Sequence, residues 1–416
     1  MLGGGGEDPG FCLHKGGKVK KISVDSLKEG MIFSQPVFIE GENILVPAGA
    51  AIRKRDLESL QLWGIGYVET DGVPIKPAPK PAEKPAAPAP KPETAKPPAR
   101  KPDTNVISLA EVHDNTGVYR TYTDLIERLD QVISEISAGI SIEARSIDSI
   151  SGRLIQAVRD QRNSMIGYIL GGEVSGYELA KSSVNSAILS ALIATEMKLP
   201  NHKIMQIVTG ALLHDMGMLR LPREIVTKKG GLSAAELQRM QAHPLYAYRI
   251  VTKELLYPED VGIIVLQHHE RWDGEGYPRK VLGITIDIGA RIVSVADAFE
   301  AMVSQKPYRN SMMGYQAMKN LLSDNSRRFD PDVLKAFIQT MGIYPIGSII
   351  LLNNGALARV IEVQGTAPLR PRIRILIDEF GKAFKQDDGE IIDLLNDKHL
   401  FIARAVDPKE FAKKNA

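Results

Sequence analysis

The chain has 416 residues, a formal net charge of +2 and a single cysteine, Cys12. That length exceeds one compact domain, the near-neutral charge argues against a nucleic-acid binder that works by neutralising phosphates, and a lone cysteine excludes an internal disulfide framework. No run approaches the roughly 20 apolar residues of a membrane span, and the opening MLGGGGEDPGFCLHKGG lacks the apolar centre of a signal peptide, so no integral membrane segment and a cytoplasmic location are expected.

Residues 1–18, rich in glycine, read as a disordered tail. Over residues 19–72 strand-like and helix-like runs alternate: VKKISVDSLKEGM, QPVFIEGENILVPAGAAI, a helical RKRDLESLQLWG and a short strand IGYVET, with glycines at the turns. A small α+β accessory module is predicted, with a docking or regulatory role rather than chemistry. Residues 73–105 form a Pro/Ala/Lys-rich linker whose proline density forbids helix and sheet and favours extended polyproline II. Its basic charge suits a solvated spacer, with weak attraction to anionic membrane or RNA as the alternative. A helical connector follows over residues 106–171. Leu125, Leu129, Val132 and Ile136 recur there at three- and four-residue intervals, marking an amphipathic helix. That stripe can pack on the neighbouring domain or pair with a second copy as a homodimer, and periodicity does not choose between them.

Residues 172–343 carry the apolar helical segments SAILSALIATEMKL, KIMQIVTGALLHDMGML, PEDVGIIVLQHHE and ARIVSVADAFEAMV, which predict an all-α bundle with ligands projected into its interior. Residues 344–408 change to short alternating runs, with NNG marking a hairpin, and a small antiparallel β-barrel extension is expected. The fold class is therefore multidomain and mainly α.

The run HHERWDGEGYP, residues 268–278, places two imidazoles and a carboxylate before a loop built for tight turns. Neighbours on a helix diverge by about 100°, so His268 and His269 are expected to reach different points of a wide cavity, an arrangement suited to two ions. His214 and Asp215 end another apolar run, His243 lies in HPLYA and Asp297 in ARIVSVADAF. A single histidine in an apolar helix is usually a core residue, but burying so many polar groups without partners would cost several kcal/mol each, a cost that shared metal ions relieve. Nitrogen and oxygen ligands together suit iron, manganese or zinc, and Asp215 is the carboxylate expected to bridge. His14, His113, His202 and His399 sit in polar surroundings and read as surface residues. Downstream, QKPYRNS supplies Lys306 and Arg309; the guanidinium fork suits phosphate oxygens, with a surface salt bridge as the competing role for each.

In this order, the HD pair, HP, HHERWDGEGYP and ARIVSVADAF resemble the HD-GYP family, metal-dependent phosphodiesterases of the bacterial messenger cyclic di-GMP. The resemblance implies an HD-superfamily bundle over residues 172–343, and hydrolysis of cyclic di-GMP to pGpG or GMP. It implies a binuclear centre of two divalent transition-metal ions, iron or manganese, held by His214, Asp215, His243, His268, His269 and Asp297, with Asp215 the catalytic carboxylate. Arg309, Lys306 and Tyr277 would face the substrate, and the loop of Gly276, Tyr277 and Pro278 would contact substrate or a signalling protein. The module at 19–72 resembles a domain often found ahead of HD-GYP domains. Two positions depart from the family pattern. Ser182 stands where the first helix of the domain usually has a ligand histidine, and Glu178, one turn earlier, offers a substitute carboxylate. Met218 replaces the lysine of the HD-x-Gly-Lys pattern, with Arg220 nearby as a compensating cation. A weakened relative acting as a cyclic di-GMP receptor or interaction module is the competing expectation.

Overall fold

The structure, a computed structural model, describes residues 13–14, 17–18, 20–39, 43–46, 48–54, 56–57, 60, 66–75, 116–140, 142–171, 176–228, 230–304, 313–323, 327–384 and 388–407. The chain divides into two compact units: Met1–Val106 with Leu351–Gly355 and His399–Ala416, and Ile107–Ile350 with Ala356–Lys398.

In the first unit, β1 (Leu13–His14) pairs antiparallel with β2 (Gly17–Lys18), so the expected tail contains a short ladder. Then follow β3 (Lys20–Ser23), β4 (Ile32–Phe33), β5 (Val37–Ile39), β6 (Asn43–Val46), β7 (Tyr67–Thr70) and β8 (Pro74–Ile75). The main sheet runs β3-β7-β5-β6. Alternate residues of β5 and β7 are buried, so one face of this sheet covers a core that includes Val37, Ile39 and Val68. Pro74 and Ile75, expected as linker, instead pair with Phe33 and Ile32. The linker beyond Ile75 and most of the RKRDLESLQLWG helix lie outside the described residues.

The second unit is helical: α1 (Thr116–Ser137), α2 (Ala144–Asp160), α3 (Arg162–Gly171), α4 (Glu178–Glu196), α5 (Asn201–Leu213), α6 (Arg223–Val226), α7 (Ala234–Met240), α8 (His243–Arg249), α9 (Glu259–Gln267), α10 (Ile288–Val303), α11 (Gly314–Ser323) and α12 (Pro331–Met341). Helix α4 is buried nearly all round, from Ala180 to Ala194, and packs against α5, α10 and α12. Helix starts are set by side chains: Asp287 accepts from Gly289 N ahead of α10, and Asp330 accepts from Asp332 N ahead of α12, whose first residue is proline. Leu125, Leu129, Val132 and Ile136 of α1 are buried in the same apolar core as α4, α5 and α10. The connector is thus part of the helical unit, and the stripe that was a candidate dimer seam is covered within the chain.

Strands β9 (Ile349–Leu352), β10 (Leu357–Glu362), β11 (Arg372–Ile377), β12 (Ile391–Asp393) and β13 (Ile402–Ala405) form one sheet in the order β12-β11-β10-β9-β13. The expected barrel does not close among the described residues: β12 and β13, three and four residues long, remain its two edges. Closure demands strands long enough to tilt and stagger around an axis. Among the described residues no helix is long and apolar enough to cross a membrane.

Leu129→Ala, at a fully buried position of α1, is expected to destabilise the helical unit by about 2–5 kcal/mol. Denaturant unfolding of a Trp63→Phe background checks this: Trp272 fluorescence and far-ultraviolet circular dichroism should shift together. A shift in helicity alone would mean that the connector unfolds separately.

Candidate metal centre

Helix α5 ends at Leu213, leaving His214 as its cap and Asp215 at the entry to the 3-10 turn Met216–Arg220. A side chain at Gly217 would meet His243 O at 1.9 Å and Ala247 N at 2.6 Å. Only glycine lets this turn lie directly on the first turn of α8, and that contact sets Asp215 Oδ1 3.2 Å from His243 Nε2. Helix α9 stops at Gln267, so His268 and His269 sit in the turn that follows rather than on a helix. The divergence expected of the pair therefore does not occur. Their rings lie 4.1 Å apart between centroids, and ligand atoms of Asp215, His243, His268 and His269 all fall within 4.8 Å of one another. From α10, Asp297 brings Oδ1 to 3.6 Å from His214 Nε2.

Three of the imidazoles are oriented in the same way. Nδ1 lies 2.7 Å from Ala211 O in His214, 2.8 Å from Met240 O in His243 and 2.6 Å from Val265 O in His268. Each Nδ1–H donates to the carbonyl three residues back, which leaves Nε2 pointing inward as the ligand atom. His243 Nε2 and His268 Nε2 approach to 3.3 Å, a distance at which two lone pairs require a cation or proton between them. His214 Nε2 is buried without a hydrogen-bond partner, 3.6 Å from Asp215 Oδ2 and 3.6 Å from Asp297 Oδ1. Asp215 addresses both sides: Oδ1 faces His243 at 3.2 Å and His268 at 3.9 Å, while Oδ2 faces His214. An orphaned buried nitrogen, converging imidazoles and a two-sided carboxylate fit a transition-metal site of nitrogen and oxygen ligands.

Burial, reinforced by the neighbouring imidazoles, holds His268 and His269 well below the ordinary imidazole value. Burial pushes the Asp215 carboxyl up, but His214, His243 and His268 outweigh it and hold the group well below the carboxylate range. For His214, burial pulls down, yet Asp215 and Asp297 prevail and raise it from 6.5 to about 9. In the metal-free protein this proton supplies the positive charge that the carboxylates demand.

The loop after the two histidines folds back on them. A side chain at Gly276 would meet Arg271 N at 2.4 Å and His269 O at 2.6 Å, and Tyr277 N donates to His269 O at 3.2 Å. Glu270, 2% exposed, is not among the ligands. Its Oε1 accepts from Arg279 N at 2.6 Å and Oε2 from Val281 N at 3.2 Å, which closes the loop. Tyr277 is thereby laid on His269, ring centroids 4.7 Å apart and 32° from parallel. Burial, then the charges of Asp215 and Asp297, hold its phenol protonated far above the ordinary value.

The structure thus brings together His214, Asp215, His243, His268, His269, Asp297 and Tyr277. Glu178 is exposed at the first residue of α4 and is absent from the group that could hold a metal. Lys306 and Arg309 lie outside the described residues. Arg220, the expected compensating cation, is exposed and donates through Nη2 to Glu254 at 2.9 Å. Ser182 is buried and donates to Glu300 Oε2 at 2.6 Å. His202 and His399 are exposed, as expected. Two residues near the site escaped the sequence reading. Glu270 was visible as a carboxylate in the motif but not as the clasp of its loop. Arg328, whose charge bears on both His269 and Tyr277, is brought near by Trp272 N donating to its carbonyl at 2.9 Å, a pairing that no local spacing signals.

Because the folded value of His214 is raised, its proton stabilises the metal-free protein fully below pH 6.5, and that contribution is lost as pH climbs through about 9. A metal ion must displace the same proton, so manganese affinity is expected to rise by about tenfold per pH unit across this window. Titration calorimetry in buffers of different ionisation heat checks it; a pH-independent affinity contradicts it. Glu270→Gln turns one acceptor into a donor facing a backbone N–H, and should cost loop closure about 1.5–3 kcal/mol. Hydrogen exchange at the Arg279 and Val281 amides reads this directly, and unchanged protection contradicts it.

Residues 174–333 match the family model of an HD domain, and residues 349–414 that of a KOW domain associated with HD domains. The chain is 29% identical over 228 residues to a cyclic di-GMP phosphodiesterase from Borreliella burgdorferi, covering 55% of this chain and 60% of that protein. It is 28% identical over 244 residues to a cyclic di-GMP phosphodiesterase from Pseudomonas aeruginosa, covering 59% of this chain and 58% of that protein. The chain therefore spans less than two thirds of the length of these relatives. The solved structure of Bd1817, a HDG"Y"P protein from Bdellovibrio bacteriovorus, superposes with a TM-score of 0.45 at 15% identity, covering 77% of this chain and 98% of that one. Residues 174–333 are thus similar to HD domains, and residues 349–414 to the KOW domain associated with them.

Proposed function

We propose that the chain is a metal-dependent phosphodiesterase that hydrolyses cyclic di-GMP to pGpG or GMP. The observation that carries this is the Asp215 carboxylate, one oxygen turned to His243 and His268 and the other to His214. Such a carboxylate suits two divalent ions, iron or manganese: His243, His268 and His269 on one side of Asp215, His214 and Asp297 on the other. Bound ions of this kind supply Lewis acidity toward phosphoryl oxygens and acidify water.

The chain's own residues do the rest. The backbone carbonyls of Ala211, Met240 and Val265 fix three ligand rings before any ion arrives, so little reorganisation accompanies loading. The ring contact between Tyr277 and His269 supports the reading of Tyr277 as a substrate-contacting wall of the site. Arg309 and Lys306 are assigned to the phosphate oxygens on chemistry and motif alone. In the overall reaction water gives its oxygen to phosphorus, the bond to the ribose 3′ oxygen breaks, and that oxygen leaves with a proton. Support for the substrate comes from the relatives, both named as cyclic di-GMP phosphodiesterases. A signalling partner at the loop of Tyr277 belongs to the same proposal, the exposed Leu282 and Ile284 offering it apolar contact. So does a cytoplasmic location. A homodimer no longer has the α1 stripe to rest on.

A receptor without turnover is the second reading. Ser182 is engaged with Glu300 rather than offered as a ligand, and Met218 has no cationic substitute in Arg220, which pairs with Glu254. Metal analysis and a hydrolysis assay on protein reconstituted with manganese or iron separate the two. The enzyme is expected to turn over cyclic di-GMP, and His214→Ala or Asp215→Ala to abolish this. Binding without turnover by the metal-loaded protein, with activity appearing only in Ser182→His plus Met218→Lys, would establish the receptor instead.

A further inference from the structure

One buried carboxylate near the site takes no part in the ligand set. Glu300 is 1% exposed and lies one turn beyond Asp297 on α10. Its Oε2 accepts from Ser182 Oγ at 2.6 Å, and its Oε1 from Asn185 Nδ2 at 3.4 Å and from the Ser304 hydroxyl. Asn185 is fully buried, and its Oδ1 accepts from the hydroxyl of Tyr122 at 2.8 Å. Tyr122, also fully buried, belongs to α1. Polar atoms therefore tie three helices together, from α1 through α4 to the turn of α10 that follows Asp297.

Such a network is expensive to keep. A carboxylate removed from water must be repaid by donors, and a half-satisfied network is worse than an apolar core. Here two of the donors come from α4, whose buried residues are otherwise apolar or small, and another from Ser304 at the end of α10. One of them, Ser182, is the position at which the family pattern calls for a ligand histidine. In this chain α4 is thus bonded to the helix that carries Asp297, one turn beyond that residue. Burial, then the charge of Glu300, hold the Tyr122 phenol far above its ordinary range, so it remains a donor at every relevant pH.

We propose that Glu300 is a positioning residue for Asp297, and that Tyr122 and Asn185 extend this positioning to α1, so that the connector helix sets how well the Asp297 side of the centre holds its ion. The inference rests on the metal-binding part of the proposed function and assumes nothing about substrate. A hydrogen bond made directly behind a ligand is worth about 10–100-fold in metal affinity; Glu300, which acts through the turn of α10 it shares with Asp297, belongs at the low end of that range.

The test measures manganese binding by calorimetry on the full chain, together with thermal unfolding of the same samples. Glu300→Gln is expected to weaken manganese affinity by about 10-fold. Tyr122→Phe, which removes a hydroxyl and leaves the ring, should weaken it by about 5-fold. The double variant should lose less than the product of the two, because both act through one chain of bonds. Ser151→Ala serves as the control, since it breaks a buried pair with Thr209 at 3.0 Å elsewhere in the same core; it should lower the melting temperature without moving affinity. If Glu300→Gln does not fold, Tyr122→Phe against Ser151→Ala decides the matter. Manganese affinity unchanged in Tyr122→Phe overturns the proposal and leaves the network purely structural. Failure of the unmodified protein to bind manganese would instead strike the metal-binding reading itself.

Discussion

Everything at the centre depends on how one carboxylate is held among imidazoles. Asp215 sits where α5 gives way to a 3-10 turn, and its neighbours cannot rotate away, since His214, His243 and His268 each spend Nδ1–H on a carbonyl of their own chain segment. The inward nitrogens and carboxylate oxygens then confront one another at 3.2–3.9 Å. The 3.6 Å separations at His214 are too long for direct hydrogen bonds, and the 3.3 Å between His243 Nε2 and His268 Nε2 is too short for two lone pairs to coexist. A cation resolves both problems at once. In the metal-free protein the proton raised on His214 is a partial answer, which is why proton and metal compete for the same position.

Geometry of this kind needs backbones closer together than side chains normally allow. Gly217 and Gly276 answer that need at opposite sides of the group. The first lets the Asp215 turn rest on the start of α8; the second lets the loop carrying Tyr277 lie against the peptide of His269 and Glu270. The clasp then matters as much as the ligands, because Glu270 spends both oxygens on backbone amides of the loop and so converts a flexible return into a wall of the site.

Much of this was legible in the residues. The ordered run of HD, HP, HHE and the aspartate of α10 contained the side chains that gather around Asp215, since ligand chemistry restricts residue type severely. Less legible was whatever depended on where a helix ends. Continued helix would send His268 and His269 in divergent directions, but α9 stops at Gln267 and the turn brings the rings together. Glu178 shares a helical face with Ser182 by spacing, yet it falls at the exposed first residue of α4, where a one-turn offset separates solvent from core. The C-terminal strands showed their alternation clearly, whereas closure is a property of strand length and stagger that alternation does not encode. Arg328 and Glu300 act across long sequence separations and left no periodic trace.

The apolar stripe of the connector is covered by the core of the helical unit. Leu125, Leu129 and Ile136 share one core with the helices that bear the site residues, so α1 is not a hinge beside the helical unit but one of its walls. Tyr122 lies on that same buried face and donates its hydroxyl to Asn185 Oδ1. A displacement of α1 would have to repack apolar contacts and break a buried polar chain together, and packed cores answer such demands by switching between discrete arrangements rather than by bending. Ser182, at the position where the resemblance calls for a ligand histidine, is engaged instead in a hydrogen bond to Glu300 on the helix that carries Asp297.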